Sequence, residues 1–262
     1  MKLLIYISLS IVIFISCNRK DEDATPIESV TTYGNIKISF THTYNDSIFE
    51  LNKKYPLLSG DTFSLSDLRF IISDITLIDT NYIKWKAKNC YHIISSAQKE
   101  SFTIVLDSVP TGNYFKINFR LGLTENNLSN TNLLLYHNSQ TEVDSMLNTN
   151  KTSNLHLRIN GNYYTNEFVT GDFSDKISVS SYSTTYDFGD LTPHRLAHNV
   201  PHTPISITIK EHETTSINFE SKINWLMNSP LSFDFDDEDY INNMRTVLYT
   251  NYNSNFFIYT PE

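Results

Sequence analysis

From residue 35 onward, apolar and polar residues alternate in short runs bounded by turn residues. The first run is Asn35-Ile36-Lys37-Ile38-Ser39-Phe40-Thr41-His42, and a two-residue period marks a strand with one buried face. Leu68, Phe70 and Ile72 form one face of a following strand, which Ile75 and Leu77 continue after the polar pair Ser73-Asp74. Further strands are expected over residues 91–94, 102–106, 115–121, 155–159, 177–179, 205–209 and 217–219. Turn chemistry separates them, as in Leu58-Ser59-Gly60-Asp61, Val109-Pro110-Thr111-Gly112-Asn113 and Asn160-Gly161-Asn162. Short strands at this spacing, with no amphipathic helices between them, predict an all-β fold, mainly an antiparallel β-sandwich. One short C-terminal helix is also expected. Tyr240, Ile241, Met244, Val247 and Leu248 recur at helical spacing, with Asp236 or Asp237 able to cap the start. Residues 126–154, rich in Asn, Ser and Thr, read as a long loop with a helical turn around residues 133–136.

The first seventeen residues follow a different pattern. Lys2 precedes an apolar run from Leu3 to Ile15, which is shorter than the roughly 20 residues a spanning helix needs and matches a secretory signal. Phe14-Ile15-Ser16-Cys17 resembles a bacterial lipobox, in which the cysteine is acylated and becomes the mature N-terminus. Several acyl chains on one residue anchor firmly, since each buried methylene adds about 0.8 kcal/mol. The expected organisation is a signal peptide over residues 1–16, a lipidated Cys17 and flexible tether over 17–34, and one β-sandwich domain over 35–262. Lys20-Asp21-Glu22-Asp23 resembles the acidic export signal of surface lipoproteins in Bacteroidetes-type bacteria. The expected location is therefore the outer membrane, facing the periplasm or exposed on the cell surface.

Composition narrows the chemistry. The chain has 262 residues, a formal charge of -9, 16 Phe, 16 Tyr and two cysteines. Acylation of Cys17 leaves Cys90 alone, so the core rather than a disulfide must stabilise the domain. An acidic chain without a basic tract argues against nucleic acid as a partner. No G-x-S-x-G, P-loop, G-x-G-x-x-G or H-E-x-x-H string occurs, and a non-enzymatic protein is expected. The acidic cluster at residues 234–239 lacks the glycine and terminal glutamate of a calcium loop and reads as a solvated helix start. His194, His198 and His202 are spaced by four, but Pro193, Pro201 and Pro204 argue against a helix that would align them. His42 and His92 lie in or beside expected strands. Cys90, two residues from His92, shares its strand face.

The order of these motifs resembles the MbnP-like family of methanobactin-associated, copper-binding proteins. The resemblance runs through Ile38-Ser39-Phe40-Thr41-His42, Phe49-Glu50-Leu51, Gly60-Asp61-Thr62-Phe63, the strand from Leu68 to Leu77, and Tyr91-His92-Ile93-Ile94. It continues in Val109-Pro110-Thr111-Gly112-Asn113-Tyr114, Phe119-Arg120-Leu121-Gly122-Leu123 and segments reaching Phe257. It implies a sandwich that binds copper through histidines, here His42 and His92. This chain departs from the family pattern at two places. Ser145-Met146-Leu147-Asn148 replaces a Gly-Met-Phe-Trp stretch, removing the indole some members use. Tyr186-Asp187-Phe188-Gly189-Asp190 stands where Tyr-His-Ile-Gly-Gly is typical, so Asp187 replaces an imidazole and suits Cu(II) or Zn(II) better than Cu(I). His194 or His198 is the alternative nitrogen donor if the loop folds back.

The expected function is a lipid-anchored copper-binding or copper-handling protein with a metal set of His42, His92 and Asp187 or His194, incomplete relative to the family. The alternative is a metal-free surface module on the same scaffold, binding glycan, peptide or an envelope protein.

Overall fold

The computed structural model describes residues 31–88, 90–123, 134–135, 146, 155–165, 168–178, 184–188, 205–228, 247–248, 250–251 and 256–260. The expected signal peptide, Cys17, most of the tether, His194 and most of the expected helix over residues 240–248 lie outside the described residues. The fold belongs to the compact unit Thr32–Glu262.

Two sheets face each other. The smaller is built on β1 (Tyr33–Tyr44), which pairs in parallel with β14 (Thr214–Lys222) and antiparallel with β2 (Ser47–Ile48) and β7 (Thr103–Pro110). β15 (Phe257–Thr260) extends it beyond β14. The larger sheet is organised by β4 (Thr62–Asp79), an 18-residue strand. β10 (Leu155–Thr165) and β8 (Gly112–Leu121) follow one another along one edge of β4; β6 (Cys90–Ser95) and β5 (Lys84–Lys86) lie along the other. β3 (Tyr55–Pro56) also pairs with β4, β9 (Leu134–Leu135) with β6, and β11 (Phe168–Ser178) with β10. β12 (Thr184–Phe188) and β13 (Ile207–Ile209) both pair with β8. The all-β sandwich expected from the alternation is the observed fold, with the β1–β14 and β6–β9 pairs parallel.

Alternation along β1 buries Ile36, Ile38, Phe40, His42 and Tyr44. Phe40 is the hub between the sheets, with ring centroids 5.8 and 5.7 Å from Phe219 and Phe257 on its own sheet and 6.4 and 5.9 Å from Phe70 and Phe119 on the other. A second cluster, Ile71, Tyr91, Ile93, Leu123 and Met146, covers the opposite face of the larger sheet. Met146, from the stretch Ser145-Met146-Leu147-Asn148, is thus a core residue.

β4 changes faces twice. Its core residues are Phe63 and Leu65, then Leu68, Phe70 and Ile72, then Ile75 and Leu77, and each change of parity coincides with a register shift, against β10 near Asp67 and against β8 after Ser73. One extra residue in a strand moves every later side chain to the other face. Asp74 takes up the second shift at a φ of 54°.

The sequence pattern did not announce the helix α1 (Ile223–Asn228), which follows directly on the strand expected around residues 217–219. Ile223, Leu226 and Met227 have helical spacing, and all three are buried. Of the helix expected over residues 240–248, Val247 and Leu248 are helical, as are Thr250 and Asn251 beyond it, and the Asn251 side-chain amide donates to the Leu226 carbonyl at 2.8 Å.

Candidate metal centre

His42 lies on the inner face of β1 and is 3% exposed. The hairpin that follows it turns at Asn45 and Asp46, both at positive φ (47° and 62°), as a tight two-residue turn requires. Its ring sits edge-on to Phe70 of β4, centroids 5.7 Å apart, and to Phe102, 4.5 Å apart. Phe102 arrives on a 3-10 turn, Lys99–Phe102, that leaves β6. Ser101 ties that turn down: its hydroxyl accepts the Ser95 N–H at 2.8 Å and donates to the Gln98 carbonyl at 2.6 Å.

Among the described residues, neither Nδ1 nor Nε2 of His42 has a hydrogen-bond partner. Burial lowers its pKa from 6.5 to about 4, because the charged ring would lose its hydration. At neutral pH the ring is therefore uncharged, with one nitrogen lone pair and one N–H unanswered. Leaving a buried polar atom unsatisfied costs about 1–3 kcal/mol, and such atoms are rare in native proteins. A neutral imidazole nitrogen is also what a metal ligand presents. An open groove of about 430 Å³ reaches the ring, walled by Phe40, Phe49, Leu51 and Phe102 and bordered by the exposed Glu50 and Lys99. The Glu50 carboxylate is held below its usual pKa range by the hydrogen bond and charge of Lys53, 2.8 Å away.

His92 is also buried, in β6 opposite Ile72. It shares its strand face with Ile94, a member of the core between the sheets, so the two histidines approach that core from opposite sheets. Phe70 links them. It touches the His42 ring and pairs across the sheet with Ile94, and Ile94 is two residues, about 7 Å, along the strand from His92.

The backbone of Asp187 lies in β12 opposite Asn118. The row running His92, Ile72, Leu121, Thr184 crosses three strand spacings, about 14 Å, and Asp187 is three residues further along β12. The two histidines thus share the inner core near Phe70, while Asp187 belongs to the far branch of the larger sheet. Among the described residues no group of three or more His, Cys, Asp or Glu is placed to hold a metal. The imidazoles fit copper as donors, and a third donor of these types is not beside them among the described residues. Sequence reading missed Phe102 as a wall of the site. Its apolar character was visible as the start of a strand, but its packing depends on the tertiary path of the turn before it.

A two-sheet β-sandwich with an unsatisfied, neutral imidazole in its inner layer is the class of protein defined by this fold and site. The chain belongs to the MbnP family, whose sequence model matches residues 33–245. Membership relates it to methanobactin-associated, copper-related proteins. Among solved structures it is similar to MbnP from Methylosinus trichosporium, at 9% identity and a TM-score of 0.47, over 76% of this chain and 79% of that one. No curated protein matches the chain.

Proposed function

We propose that this protein binds and handles copper in the cell envelope, anchored by lipid on Cys17 and without enzymatic activity. The observation that carries the reading is His42, a buried, neutral imidazole with both ring nitrogens unanswered at the end of an open groove. Family membership supports copper as the metal. Copper, when bound, brings a Lewis-acidic and redox-active centre. The chain's part is to hold it and keep water from it: His42 and His92 are the proposed donors, Phe70 and Phe102 shield the first of them, and of the two further donors the sequence nominated, Asp187 lies too far along β12 to join them, which leaves His194, outside the described residues.

The test uses the protein from Cys17 onward, incubated with micromolar copper, desalted and assayed for bound metal. Near-stoichiometric copper is expected, lost in His42→Ala while the circular dichroism spectrum is retained. A chain that stays metal-free under these conditions overturns the proposal and leaves the metal-free surface module. Lipid anchoring and location are tested separately. Palmitate labelling is expected to vanish in Cys17→Ser, and protease treatment of intact cells distinguishes surface exposure from the periplasm.

A further inference from the structure

A second open groove, of about 560 Å³, shares no lining residue with the one at His42. Its volume falls within the roughly 300–1,000 Å³ of small-molecule sites. It lies between β5, which pairs only with β4, and β7, which pairs only with β1, among the described residues. The groove thus opens where each sheet presents an edge.

Its lining combines three kinds of chemistry. Tyr33 and Val105 are 49% and 36% exposed and are two of the six large hydrophobic side chains left exposed among the described residues. Trp85 joins them, half-buried and packed against the core from behind. Tyr33, Val105 and Trp85 thus set apolar surface beside the polar groups of the groove, the mix of lining that small-molecule sites use. Lys88 is exposed and makes no hydrogen bond or ion pair among the described residues, whereas Lys86 is tied to Asp74 at 2.8 Å. On the β7 side stand the exposed Asp107 and Ser108, the latter at a φ of 58° where β7 slips register against β1.

We propose that this groove binds an anionic glycan of the uronate type. Tyr33 and Trp85 offer flat apolar faces to the sugar ring, the Lys88 ammonium meets the carboxylate, and Asp107 and Ser108 hydrogen-bond to ring hydroxyls. The charge arrangement selects this class. A neutral sugar leaves Lys88 unanswered, and a dense polyanion meets the Asp107 carboxylate and a chain of formal charge -9. A peptide adding a strand to β7 meets the bulge at Ser108 and Pro110, which has no N–H to offer, and such features block edge pairing. The proposal is independent of copper.

The full-length protein in detergent micelles is titrated with a galacturonate tetramer by calorimetry. Saturable binding is expected, weakened about tenfold or more, a loss of about 1.4 kcal/mol, by Lys88→Gln and by Tyr33→Ala, both at exposed positions whose replacement leaves the core intact. Trp85→Ala, checked for folding by its melting curve, is expected to weaken it further. Absence of saturation, binding unchanged in Lys88→Gln, or a neutral glucose tetramer binding as well as the uronate each overturns the proposal. Tighter binding of a polyglutamate peptide assigns the groove to an acidic peptide and overturns it as well.

Discussion

The His42 ring lies edge-on to Phe102, centroids 4.5 Å apart, although one comes from β1 and the other from the turn after β6. That contact helps to bury the imidazole at the end of the groove. Phe102→Ala removes a partly buried ring, at a cost of about 1–3 kcal/mol, and admits water to His42. The pKa of His42 is then expected to rise from about 4 toward 6.5, read from its ring proton shifts in a pH titration by NMR. An unchanged titration in the variant shows that Phe102 does not control the hydration of the ring.

The same burial makes the metal-free protein acid-sensitive. His42 has a folded pKa of about 4 against 6.5 unfolded, so between these values the unfolded chain binds more protons and stability rises with pH. The full contribution is present above pH 6.5 and is lost as pH falls toward 4, amounting to about 3 kcal/mol at the acid end. His42→Phe is expected to flatten this part of the profile, measured as urea unfolding free energy after chelator treatment. An equally steep profile in the variant places the acid sensitivity elsewhere.

Much of the fold is legible in the apolar pattern, and β4 shows how. Phe63 and Leu65, then Leu68 to Ile72, then Ile75 and Leu77 change parity twice, and each change is a register shift in the sheet. The parallel pairing of β1 with β14 is not legible, because alternation specifies a buried face but not which strand lies beside it. Helix α1 was hidden for a related reason: six residues are too few for a helical period to stand out from a strand's end. For the site, motif order singled out His42 and His92, and both are buried on the inner faces of the facing sheets. The groove and Phe102 arise from chain segments brought together only in the folded molecule.

Asp74 combines backbone strain with electrostatic ties. At a φ of 54° it accepts Lys86 Nζ at 2.8 Å and Arg120 Nε at 3.2 Å. Burial works to raise its pKa, but the hydrogen bonds and charges of Lys86 and Arg120 outweigh it and hold the carboxyl below the usual range. Asp74→Asn keeps a side chain that tolerates the left-handed region and is expected to cost about 0.5–1.5 kcal/mol through the lost ion pairs. Asp74→Val adds the penalty of a β-branched residue there, about 1–2 kcal/mol more. Urea denaturation of the two variants measures the difference, and equal losses show that the bulge relaxes its backbone.

Gly34 is required by what closes over it rather than by its own dihedral angles. It lies in β1 opposite Val109, and the turn between β13 and β14 folds onto it: His212 N–H donates to the Tyr33 carbonyl at 3.1 Å and Asn35 N–H to the Glu213 carbonyl at 2.8 Å. A Cβ at position 34 overlaps the backbone oxygen of Lys210 and stands 3.0 Å from that of Glu213. Neither is the end of a flexible side chain, so the turn or the strand must move. Where the space is free, Gly→Ala in a strand stabilises by about 0.4–1 kcal/mol; here the sign reverses, and Gly34→Ala is expected to cost about 2 kcal/mol or more. The checks are the urea midpoint, with an unchanged slope, and faster amide exchange at Asn35 and His212. A wild-type midpoint together with wild-type exchange shows that the turn shifts without cost.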